Sequence, residues 1–103
     1  MAELLHIAEP DAWSAADEAY RPASLAAEGF VHCSTPEQVM ATGRRYYAGR
    51  VGLLLLTIDS DAAGVPLKWE RGPTGDLFPH LYGPIPIAAV TAVAPFDPDS
   101  EVP

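Results

Sequence analysis

Gly29-Phe30-Val31-His32-Cys33-Ser34-Thr35-Pro36-Glu37-Gln38 is the stretch on which the fold turns. Its first half is a short apolar run that reads as a strand entering the core. Its second half reads as a capping box: Thr35 as N-cap, Pro36 at the first helical position, where its missing N–H costs nothing, and Gln38 placed to bond back to the cap. The spacing predicts a helix from there through Val39, Met40 and Tyr46-Tyr47 to a stop at Gly49. A strand that delivers a histidine onto a helix start has a chemical consequence. Free backbone N–H groups and the positive end of the helix dipole would sit beside His32 and Ser34, a natural seat for an anionic oxygen.

On the N-terminal side, Leu4 to Ala8 reads as a strand and Glu9-Pro10-Asp11 as a helix start, with the helix expected from Pro10 to about Ala19. Trp13, Ala16, Ala19 and Tyr20 would share its buried face. Pro22 opens another short helical turn, which Gly29 is placed to end with a positive φ. On the C-terminal side, Val51 to Asp59 is an apolar run without alternation, the pattern of a central strand buried on both faces. Leu67-Lys68-Trp69-Glu70 alternates, sending Lys68 and Glu70 to the face opposite Trp69. A Gly/Pro loop from Arg71 to Asp76 leads to a further strand, Phe78 to Tyr82, and Ile87 to Phe96 supplies a final turn and strand. Helices and strands mix without a regular βαβ repeat, so the class is α+β.

At 103 residues the chain forms one domain, and 49% apolar with 19% charged residues is the composition of a folded protein. A single domain over residues 1–96 and a flexible acidic tail over 97–103 are expected. A net charge of −8 argues against DNA as a partner, since such affinity comes mainly from phosphate neutralisation. No apolar run approaches a membrane span and the N-terminus lacks a signal-peptide pattern, which makes a cytoplasmic location the default. The single cysteine, Cys33, excludes an internal disulfide and is expected in the core.

Chemistry concentrates in the histidines. His6, His32 and His80 each lie in an apolar run, where burial tunes their titration, and converging strands would bring them to one cleft. Glu70 and Lys68 are expected to point into the same cleft. Arg44, Arg45 and Arg50 form a local basic cluster able to hold one small phosphorylated ligand on an otherwise acidic chain. A metal site built on the three histidines and Cys33 is the weakest reading, because no two of the histidines have the close spacing of a paired-ligand motif.

His6-Ile7-Ala8, Gly29 to Thr35, Trp69-Glu70 and Phe78-Pro79-His80-Leu81-Tyr82-Gly83-Pro84, in that order, resemble the bacterial family of uncharacterised proteins called DUF952, over roughly Leu4 to Phe96. The resemblance implies an ADP-ribosyltransferase-like α+β domain, whose split, curved sheets enclose a cleft for a nicotinamide dinucleotide. By analogy with transferases of that fold, His6, His32 and Glu70 would be the catalytic residues. Ser34, Thr35, Arg44, Arg45, His80 and Tyr82 would hold NAD or a related phosphorylated nucleotide. The activity implied is transfer or hydrolysis at the nicotinamide–ribose bond, with the Glu70 carboxylate stabilising oxocarbenium character. A binding module that keeps the cleft without the chemistry is the alternative.

Overall fold

The computed structural model describes residues 3–99. The chain folds into three small antiparallel sheets with short helices between them, so the α+β class holds. The first sheet has the order β1 (Glu3–Ala8), β4 (Leu53–Asp59), β8 (Val90–Phe96); the second pairs β2 (Ala19–Tyr20) with β7 (Ile85–Pro86); the third runs β3 (Val31–His32), β6 (Leu77–Leu81), β5 (Leu67–Arg71). A bridge of two backbone bonds, Leu5 N–H to the Ser34 carbonyl (2.8 Å) and Ser34 N–H to the Leu5 carbonyl (2.7 Å), stitches the first sheet to the third.

The Leu53–Asp59 strand is central, as its unalternating apolar run predicts. It packs on both faces. Leu56 and Ile58 join Leu4, Val31 and Leu81 in one core, while Leu53 joins Ile7, Val39 and Phe96 in a second. Burying both faces of one strand is what the continuous apolar pattern is for.

Helices α1 (Pro10–Ser14), α2 (Ala23–Glu28), α3 (Val39–Tyr47) and α4 (Ser60–Ala63) fill the connections. α2 ends as expected, with Gly29 at φ +88° and its N–H on the Leu25 carbonyl. Two helices differ from expectation. α1 stops at Ser14 instead of about Ala19, because Asp17 accepts from the N–H of Glu18 (2.6 Å) and of Ala19 (3.4 Å), turning the chain so that Ala19 and Tyr20 pair with Pro86 and Ile85. α3 begins at Val39, with residues 36–38 forming a turn before it. Half of the predicted capping box is present: Thr35 N–H donates to Gln38 Oε1 (3.1 Å). Thr35 is not the N-cap, however, because the Gln38 amide also donates to the Leu77 carbonyl (2.7 Å) and so ties the turn to β6.

The chain stays packed beyond Phe96, where the tail was expected to begin. Pro98 is fully buried and Asp99 accepts the Gly49 N–H (2.9 Å), fastening residues 97–99 to the end of α3. Residues 100–103 of the expected tail lie outside the described residues.

Candidate functional site

The third sheet presents the candidate site side chains in one row. His32 and His80 are directly opposite each other across β3 and β6, and Lys68 is opposite His80 across β5 and β6. Residues facing one another across neighbouring strands share a face, so both imidazoles project from the same side as Lys68. Their rings meet edge to face at 5.2 Å between centroids. Phe30 packs against both, stacking on His80 at 4.2 Å and 16° and tilting on His32 at 4.7 Å.

Each imidazole has its own carboxylate. His80 Nδ1–H donates to Glu70 Oε1 (2.7 Å), and His32 Nε2–H donates to Glu28 Oε1 (3.0 Å) at the end of α2. Among the described residues no protein group bonds the other nitrogen of either ring, His80 Nε2 or His32 Nδ1. His80 is 9% exposed, and the His32 side chain 52%. The Glu70 oxygen that receives His80 also accepts the Tyr82 hydroxyl (2.5 Å), and Lys68 Nζ lies 4.7 Å from the centre of the Tyr82 ring. These two hydrogen bonds, the Tyr82 one foremost, hold the Glu70 carboxyl below its usual range, and the Tyr82 phenol is raised in return.

The imidazoles open onto a cleft of about 950 Å³ between the third sheet, α2, α3 and the β5–β6 loop. That size is within the range of small-molecule sites. His6, His32, His80, Ser34 and Arg45 line it, so the three histidines and two of the expected ligand contacts do come together. Glu70, Tyr82, Thr35 and Arg44 do not line it. Alternation sends Glu70 to the face of the histidines, as read from the sequence, yet its carboxylate is spent behind His80. Tyr82 stands one step further back. The expected anion seat beside His32 is also spent, with the Ser34 N–H on Leu5 and the Thr35 N–H on Gln38.

His6 differs in kind from the other two. It is buried, and its Nδ1 lies 2.5 Å from the His32 carbonyl, which only accepts, so Nδ1 carries the proton. Nε2 is then the acceptor for the Tyr20 hydroxyl at 2.7 Å. Burial is the largest of the influences that push its pKa down to about 4 and keep it neutral. Both nitrogens are engaged, Nδ1 in fixing the His32 backbone and Nε2 on the Tyr20 hydroxyl. Burial likewise raises the Tyr20 phenol, and it pushes the Cys33 thiol up to about 12, an inert core group as expected.

Sequence reasoning missed three residues of the site: Phe30, Glu28 and Arg71. Arg71 lines the cleft with Arg45, and its guanidinium also holds the Gly75 carbonyl (2.6 Å). Glu28 had a local signal, since it stands four residues before His32. The two cations share the cleft with the carboxylates of Glu9, Glu28, Glu37 and Asp76. Arg50, the third of the basic cluster, pairs with Glu9. Among the described residues no three His, Cys, Asp or Glu side chains are grouped to hold a metal ion, and no helix is long and apolar enough to cross a membrane.

The molecule is thus a small α+β domain with a histidine-floored cleft between separate sheets. The chain belongs to the DUF952 family, described as proteins of unknown function, whose model matches residues 7–93. It is similar to the crystal structure of protein CC0527 from Caulobacter crescentus, a structural genomics target, with 33% identity, a TM-score of 0.83, and coverage of 93% of this chain and 87% of that one. The solution NMR structure of CC0527 is similar at 34% identity and a TM-score of 0.78, covering 94% of this chain and 86% of that one. No curated protein matches the chain.

Proposed function

We propose that the cleft is the active site of a hydrolase or transferase acting at the ribosyl bond of NAD or a related phosphorylated nucleotide, with the split-sheet cleft serving as an ADP-ribosyltransferase-like binding site. The observation that carries this reading is the His80–Glu70 pair: a largely buried imidazole, oriented through Nδ1–H, whose Nε2 has no protein partner among the described residues, lining a cleft of substrate size. A carboxylate behind the far nitrogen selects the tautomer whose near nitrogen is a base. Stacking by Phe30 fixes the plane of the ring.

In the hydrolytic step, His80 Nε2 takes a proton from water as the water oxygen bonds to the anomeric carbon. The carbon–nitrogen bond breaks, and its electron pair neutralises the departing pyridinium nitrogen. His80 then returns its proton to solvent. The acceptor is an alcohol or amine in place of water if the reaction is transfer. Glu70 acts as a positioning residue here, in place of the oxocarbenium-stabilising part that the family resemblance implies. His6 holds the His32 carbonyl and thereby the strand.

Arg45 and Arg71 suit phosphate groups, and Ser34 adds a hydroxyl. Four carboxylates in the same cleft oppose them, so affinity for the anionic portion is modest. The same cleft without turnover is a binding module. One experiment separates the two: incubation with NAD, following nicotinamide release by chromatography, alongside calorimetry with ADP-ribose. Release that His80→Gln abolishes supports the enzyme, whereas ADP-ribose binding without release supports the module. Absence of both at millimolar ligand overturns the nucleotide reading.

A further inference from the structure

Resting on that reading, we infer that the second pair, His32–Glu28, is a general acid, and that the substrate class is a ribonucleotide whose leaving group is a neutral heterocycle, not only a pyridinium. The inference comes from an excess of machinery. A pyridinium leaves as a neutral molecule and requires no proton, so a site built for it alone needs one base, which His80 supplies. This cleft holds two imidazoles, each with its own carboxylate, side by side from opposed positions on β3 and β6. Two adjacent histidines in opposite protonation states are the arrangement that takes a proton from a nucleophile while giving one to a leaving group.

The roles divide by environment. His80 stacks on Phe30 and lines the cleft, and among the described residues its Nε2 has no protein partner. His32 is half-exposed at the cleft wall, 3.0 Å from the Glu28 carboxylate, which is a ready counter-ion for an imidazolium, and its exposure lets solvent reload it with a proton. In the step, water loses a proton to His80 Nε2 as its oxygen bonds to the anomeric carbon. The bond to the heterocycle breaks, and its electron pair takes up the proton of His32 Nδ1–H. The products are the free heterocycle and the ribose phosphate with a hydroxyl at the anomeric carbon. His80 releases one proton to solvent and His32 takes one up, so the cycle closes with water as the sole co-reactant.

The test compares kcat/KM for NAD, with its cationic leaving group, and for inosine 5′-monophosphate, with a neutral one, in the wild type, His32→Gln and Glu28→Gln. His32 and Glu28 are half-exposed, and a thermal midpoint within a few degrees of wild type verifies that each variant is folded. The expected result is that the wild type cleaves both nucleotides. His32→Gln should lose about 10²-fold or more on inosine 5′-monophosphate, the scale of a general-acid contribution, and at least tenfold less than that on NAD. Glu28→Gln should show the same split to a smaller extent. Equal losses on the two substrates, or a wild type that cleaves NAD alone, overturn the inference and leave the proposed function standing. A wild type that cleaves neither overturns both.

Discussion

Acidification from pH 7 to 4 should destabilise the fold through His6, because the neutral form is the one its two hydrogen bonds require. In the unfolded chain His6 binds a proton near its ordinary value of 6.5; in the folded protein it does so only at about 4. Between these values the unfolded state holds more protons, so stability is fully present above pH 6.5 and falls as the pH drops toward 4. Below that point both states are protonated and this contribution falls no further. At about 1.4 kcal/mol for each pH unit separating the two values, the total is roughly 3 kcal/mol, a large part of the ~5–15 kcal/mol by which such domains are stable. The assay is urea unfolding at half-unit pH steps for wild type and His6→Gln, whose amide offers a donor and an acceptor but does not titrate. The wild type should lose about 3 kcal/mol more than the variant across this window. Groups common to both proteins, including the depressed carboxyls of Glu70 and Asp17, cancel in the comparison. Parallel curves for the two proteins would refute the assignment of His6 as a buried neutral clamp.

Further consequences can be measured. Glu70→Gln should lower turnover by about 10²–10⁴-fold, as loss of an orienting carboxylate does, while leaving the thermal midpoint nearly unchanged, since the Glu70 side chain is 39% exposed. Leu56→Ala, at a fully buried position of the central strand, should cost about 2–5 kcal/mol in chemical unfolding. Gly29→Ala places a Cβ at φ +88°, where an L-residue is strained, and should cost about 1–2 kcal/mol by the same assay. ADP-ribose affinity, read by calorimetry at several salt concentrations, should weaken only shallowly with salt, because only Arg45 and Arg71 among the described cations line the cleft.

The strands were readable because their burial is written into composition and alternation: the central Leu53–Asp59 run, and Lys68 and Glu70 opposite Trp69. The convergence of the three histidines was readable as an expectation from the apolar runs that carry them. What each histidine does was not, because it depends on partners distant in sequence. His6 looks like His80 in the sequence, yet Tyr20 and the His32 carbonyl consume both its nitrogens, whereas Glu70 consumes one nitrogen of His80. α3 starts later than its local pattern predicts for a related reason. Gln38 satisfies the local capping pattern on one side and a tertiary partner, the Leu77 carbonyl, on the other, and the second bond sets where the turn ends. α1 ends earlier than its apolar spacing predicts because the Asp17 turn and the pairing of Ala19-Tyr20 with Ile85-Pro86 override that spacing.

Under the proposed function, His80 and His32 face a nucleotide in this cleft. The most direct test is titration of uniformly labelled protein with ADP-ribose, following the imidazole Cε1–H and Cδ2–H resonances of all three histidines by NMR. Saturable shifts are predicted at His80 and His32, with a much smaller response at His6. Unmoved His80 and His32 resonances at millimolar ADP-ribose, or a response confined to His6, would contradict it.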